Sequence, residues 1–218
     1  MLVLGIETSC KKGGVALLRD GELIGEMSMD SGLNHSAGLI VAIGELLAGC
    51  CTEREEIGGI GVDIGPGSFT GVRVGTASAV GLARALSASL SGVTSLEALA
   101  SADTSGHRHL FPLIDAKRGL FYGALFEKQK EGCKPLTEIK LWRPRELPKA
   151  VPVGTYFFGP GLLAWRDGIS RELGEGALLD SDDRFPSAAE VARVAAKKIA
   201  WGRPSAPRPI YLASYQKK

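Results

Sequence analysis

The stretch GPGSFTGVRVG, Gly65 to Gly75, holds the residues with the most chemical promise in the chain. A strand that feeds a glycine-rich loop and opens a helix leaves free N–H groups at the positive end of a helix dipole, the geometry of an anion site. The loop has no lysine, only Arg73, so it does not match G-x-x-x-x-G-K-[ST], and glycines at 65, 67, 71 and 75 do not fit G-x-G-x-x-G. Ser68 and Thr70 lack a neighbouring histidine to act as general base, and Thr70 reads instead as the N-cap of a helix from Gly71. The four-residue spacing is more telling. Gly71, Gly75, Ala79 and Ala83 share one helix face, with Thr76 and Ser78 at its edge, leaving a flat stripe that another backbone can approach. That backbone belongs either to the protein's own sheet or to a partner subunit.

Two carboxylates stand out beside this loop. Glu7 and Asp115 each follow an apolar strand and head a polar turn, where an acid serves a metal and an attacking water or simply bonds its own backbone. His107 and His109 flank Arg108 in a polar segment and read as solvated side chains; Gly159-Pro160-Gly161 reads as a turn.

The elements that must position these residues are legible in outline. Leu2 to Ile6, Gly14 to Leu18 and Leu23 to Met29 form a three-stranded meander, its second turn marked by Asp20-Gly21. Leu110 to Ile114, Leu120 to Phe126 and Thr137 to Leu141 repeat the outline half a chain later. Ser36 to Cys50 has Leu39, Ile40, Ile43, Leu46 and Leu47 at helical spacing. Ile60 to Ile64 is a strand, Val72 to Ser87 a second helix and Thr94 to Ala102 a third. Farther on, Pro144 to Leu147, Leu162 to Glu172 and Ser187 to Trp201 read as helices, and Tyr156 to Gly159 and Pro209 to Leu212 as strands. Strands followed by helices in this order predict an α/β fold of two lobes, residues 1–105 and 106–218, joined in the polar run Asp103 to His109.

GPGSFTGVRVG, the opening LGIETSCKKGGVAL, the midpoint LIDAKRGLFYGALF and the closing PIYL together resemble the bacterial TsaB family, also called YeaZ, over nearly the whole chain. The resemblance implies a two-lobed ASKHA fold of the actin, sugar-kinase and Hsp70 type, with a duplicated βββαβα core. It implies a non-catalytic subunit that binds its paralogue TsaD, together with the ATPase TsaE, for threonylcarbamoyl modification of tRNA beside the anticodon. Free TsaB-like proteins pair with themselves through the same surface, and tRNA is met only through the complex. TsaD-like chains carry an H-x-x-x-H metal pair where this sequence has Ser95 and Leu99, so no metal is expected. The partner surface is expected at Leu39, Ile43, Leu46, Gly71, Val72, Arg73, Gly75, Thr76 and Ala79. A vestigial nucleotide site, with no firmly held cofactor, is expected at Glu7, Thr8, Ser9, Asp115, Gly159 and Gly161. An arginine common after the closing P-x-Y-L is replaced here by Ala213.

Bulk properties agree with these limits. The 218 residues are 44% hydrophobic, enough to bury a sizeable core, and the net charge of +2 gives no global field that by itself implies nucleic acid or membrane. Cys10, Cys50, Cys51 and Cys133 show no metal or redox spacing and read as reduced thiols in a cytoplasmic protein. Met1-Leu2-Val3 lacks the basic start of a signal peptide, and the apolar windows are broken by Glu45 and Arg84.

Overall fold

A computed structural model describes residues 1–30 and 35–212. The chain forms two compact units, one from residues 1–98 with 186–210, the other built on residues 99–185. In the first, β1 (Leu2–Glu7), β2 (Lys12–Arg19), β3 (Glu22–Asp30), β4 (Ile57–Asp63) and β5 (Ser89–Val93) lie in the order β3-β2-β1-β4-β5. β1 pairs antiparallel with β2 and parallel with β4, and every residue of β1 is buried, as befits a central strand covered on both faces. Asp20 and Gly21 both take left-handed φ, 53° and 92°, which gives the β2–β3 hairpin the twist its strands need.

Alternation along β1 and β4 sends residues to opposite faces. Leu4, Ile6, Ile60 and Val62 meet α1 (His35–Gly49) and α2 (Phe69–Leu86), packing with Leu39, Ile43, Leu46 and Ala79. Val3, Gly5, Gly59 and Gly61 meet α5 (Ala188–Ala200). A Cβ on Gly5 would overlap the Ala188 carbonyl, and one on Gly61 would stand 2.5 Å from Ala195 Cβ and 2.9 Å from Val191 O. Small residues on both sides thus seat α5 tightly on the sheet. This corrects the boundary expected at residue 105: the segment Pro186–Ile210 returns to the first unit, because the receiving surface is a pair of strand glycines far away in sequence.

The second unit contains β6 (His109–Asp115), β7 (Phe121–Gly123), β8 (Phe126–Gln129), β9 (Gly132–Pro135), β10 (Lys140–Trp142), β11 (Tyr156–Phe158) and β12 (Leu178–Leu179), with α3 (Ser95–Ser101) leading in and α4 (Leu162–Leu173) following β11. Its main order is β10-β7-β6-β11-β12, the strand pattern of the first unit again. This duplicated α/β pattern is the ASKHA fold. The strand expected over Leu120 to Phe126 is divided between β7 and β8, and Pro209 to Leu212 is not a strand, though Ile210 N–H donates to Ile64 O at 2.8 Å. Phe111, Phe121, Trp142 and Phe157 fill the core, and the Trp142 indole N–H donates to Gly123 O at 2.9 Å.

Candidate functional site

The glycine loop spends its polar groups on its own unit. Gly65 N–H donates to Asp63 Oδ1 at 2.7 Å, Ser68 N–H to Ser9 O at 2.7 Å, and Ser95 N–H to Gly65 O at 3.0 Å. Ser68, not Thr70, caps α2: its Oγ accepts from Gly71 N–H at 3.2 Å, and the helix begins at Phe69. Gly65 has φ +88°, and a Cβ on Gly67 would overlap the Ser9 backbone. These glycines let the loop press against the Glu7-Thr8-Ser9 turn.

The small-residue stripe has the same use. A Cβ on Gly71 would overlap the Thr8 carbonyl, one on Gly75 would overlap Thr8 Oγ1, and Thr8 Oγ1 donates to Gly71 O at 2.7 Å. Of the nine residues expected at a partner surface, Leu39, Ile43, Leu46, Gly71, Val72, Gly75, Thr76 and Ala79 are buried within the chain, and Arg73 alone is exposed. The two helices present other residues to solvent. On α1 these include Ile40 (51% exposed), Val41 (57%), Gly44, Glu45 and Ala48; on α2 they include Phe69 (56%), Arg73, Ala77, Gly81 and Arg84. A Cβ on Gly44 or Gly81 would meet nothing within 4 Å. The Arg73 guanidinium lies 3.7 Å from the Phe69 ring centroid, a cation–π contact on this face. Residues 73, 77 and 81 repeat the four-residue spacing of 71, 75 and 79, two positions round the helix, so spacing alone does not choose the buried face.

Beneath the loop sits a buried polar cluster. Glu7 Oε1 accepts from Ser9 N–H and Ser9 Oγ, both at 2.6 Å, and Glu7 Oε2 accepts from Cys10 Sγ at 3.2 Å. Ser9 Oγ also lies 3.2 Å from Asp63 Oδ2, and Ser95 Oγ lies 2.8 Å from Asp63 Oδ1 and 3.0 Å from Pro66 O. Burial raises the Glu7 carboxyl, and burial plus the Glu7 charge holds Asp63 well above the usual carboxylate range. Burial next to Glu7 likewise raises the Cys10 thiol, leaving it a poor nucleophile. Both carboxyls are thus pushed toward the neutral form, Asp63 the more strongly. Sequence reasoning missed Asp63, whose signal was slight: one acid closing a glycine-rich apolar strand.

Glu7, Thr8 and Ser9 belong to the first unit, whereas Asp115, Gly159 and Gly161 belong to the second. Asp115 accepts from Lys117 N–H at 3.0 Å and pairs with Lys117 Nζ at 2.7 Å. Burial raises its carboxyl, but the Lys117 bonds outweigh that and hold it below its ordinary value. A Cβ on Gly161 would come 2.5 Å from Asp115 N, and one on Gly159 2.5 Å from Leu113 O, so both glycines serve close packing on β6. Glu7 and Asp115 make the same contact, each accepting the backbone N–H two residues on. At the two expected metal-pair positions, Ser95 completes the buried cluster and Leu99 is buried.

Residues 30–149 match the family model described as TsaD: tRNA N6-adenosine threonylcarbamoyltransferase. The chain is 38% identical over 127 residues to the tRNA threonylcarbamoyladenosine biosynthesis protein TsaB of Bacillus subtilis, covering 58% of this chain and 56% of that protein, little more than half its length. The TsaB of Escherichia coli is 29% identical over 228 aligned residues, covering 97% of this chain and 94% of its own. A Pseudomonas aeruginosa structure described as similar to the peptidase YeaZ superposes with a TM-score of 0.85 at 22% identity, over 97% of this chain and 99% of that one. With the duplicated strand order and matches that span the chain, this protein belongs to the TsaB (YeaZ) family.

Proposed function

We propose that this chain works in tRNA threonylcarbamoyladenosine biosynthesis as a non-catalytic subunit that docks a TsaD-type transferase. The observation that carries the reading is the exposed pair of apolar, small-residue helix faces: Ile40, Val41, Gly44 and Ala48 on α1, Phe69, Arg73, Ala77 and Gly81 on α2. An exposed surface of that kind, with Arg73 and Phe69 as anchors and the charged Glu45 and Arg84 beside them, has the composition of an interface core with a polar rim. Glycine and alanine at 44, 77 and 81 let a partner helix approach closely, as the stripe at 71, 75 and 79 lets Thr8 approach. In the absence of the transferase a second copy of the chain takes the same face, and a TsaE-type ATPase joins the assembled pair. Cytoplasmic residence goes with this reading.

A stand-alone catalyst is disfavoured by the state of the acids. Glu7 and Asp63 are fully buried and bonded within the cluster, and Asp115 is held by Lys117. Co-expression of the tagged chain with the TsaD-type transferase of its own organism tests the proposal. A stable complex is expected, with threonylcarbamoyl transfer only when both chains are present. Full transfer by the transferase alone, or by this chain alone, would overturn it.

A further inference from the structure

The docking role leaves one feature of the second unit unused. A groove of about 510 Å³, open to solvent, runs between the turn Pro144–Lys149 and α4. Arg143 and Arg145 line one side; Trp165, Gly168, Arg171 and Glu172 line the other. Arg108, Arg184 and Arg193 elsewhere each hold a carboxylate. Among the described residues, none of the three groove guanidinium groups does. Three unpaired forks against one carboxylate make a local field that the balanced net charge of the whole chain conceals.

The tryptophan is pre-positioned. Its ring packs 5.2 Å from that of Phe121, and its indole N–H reaches Asp115 Oδ1 at 3.4 Å, while the residue as a whole is only partly buried. Gly168 adds no side chain to the groove wall, where a Cβ would stand 3.1 Å from Pro144 Cγ. Guanidinium forks match phosphate oxygens two at a time, and an indole is a platform on which any base stacks. A base carrying phosphate could come from a free nucleotide or from a strand. The open form favours the strand, because mononucleotide sites enclose most of their ligand.

We infer that this groove binds single-stranded RNA, with phosphates on Arg143, Arg145 and Arg171 and a base on Trp165. The inference deepens the reading above, resting on it for which RNA is met in the cell though not for the binding itself. It gives this subunit an RNA contact of its own, where the net charge points to contact only through partners.

Fluorescence anisotropy of the full chain with a labelled oligouridylate of about 12 nucleotides tests it, with tRNA as second probe. Arg143→Gln with Arg171→Gln is expected to weaken binding at least tenfold, and to lower the log–log salt slope by about 1.4, roughly 0.7 for each phosphate no longer neutralised. Trp165→Ala is expected to weaken it about tenfold, with Trp165→Phe retaining most of the affinity. Unchanged binding in the arginine variant, with an unchanged circular dichroism spectrum, would overturn the inference. Displacement of the oligomer by about 1 mM ADP would also overturn it, in favour of a mononucleotide site. A chain that captures the transferase but no RNA contradicts only the groove; one that binds RNA but captures no transferase contradicts only the docking face.

Discussion

At the scale of single residues, Thr8 explains the glycine motif better than any ligand does. Its carbonyl and hydroxyl fill the space that side chains at 71 and 75 would need. Gly75→Ala is therefore expected to cost about 1–3 kcal/mol by overpacking, read from the denaturation midpoint. In a Thr8→Ala background the same change should cost distinctly less, because the clashing Oγ1 is gone; equal costs in both backgrounds would remove Thr8 from the explanation. Asp63 carries the second prediction. Its raised carboxyl means that the folded chain keeps a proton the unfolded chain releases near its ordinary value of 3.8. The contribution is fully present below that value and fades as pH rises toward the folded value. Wild type minus Asp63→Asn stability should then decline from pH 4 to pH 8, and a flat difference would count against the raised Asp63 carboxyl. The acids at 7 and 115 were readable as turn residues from their position after a strand. Their partners were not readable, since Ser9, Asp63 and Ser95 meet only once three loops converge.

Among the elements, α2 shows what periodicity conveys and what it leaves out. The helix and its approximate ends follow from the run of helix-compatible residues after the loop, but two stripes of period four lie on it. Packing of Val72, Thr76, Ala79 and Ala83 inward decides which of them faces solvent. The third prediction follows from that choice: Ala77→Glu and Gly44→Glu, in open space, should leave the melting temperature within a few degrees of wild type, while Gly75→Glu should unfold the chain. If Gly75→Glu melted like wild type, the assignment of faces would be wrong. α5 teaches the same lesson from the other side. Its amphipathic pattern and its Ser187 cap were plain in sequence, but its seat on Gly5 and Gly61 was not. Gly61→Val is expected to destabilise the first unit by about 1–3 kcal/mol or more, measured by urea unfolding.

For the molecule as a whole, the repeated meander was the most informative long-range signal, and it corresponds to the shared orders β3-β2-β1-β4-β5 and β10-β7-β6-β11-β12. Short strands such as β5 and β12 escaped notice because neither carries a strong alternation, and parallel pairing supplied their place. The partner face proposed above uses the two helices named from sequence, but through residues two positions away on α2, because the expected residues other than Arg73 are buried within the chain. On the proposed docking role, this turned face binds the TsaD-type transferase. Titration calorimetry of that transferase with wild type and with Val41→Glu/Ala77→Glu measures it directly. The expected result is a loss of about 100-fold or more in affinity at unchanged melting temperature, since two carboxylates would be desolvated at the contact. Equal affinity for the two chains would contradict the claim.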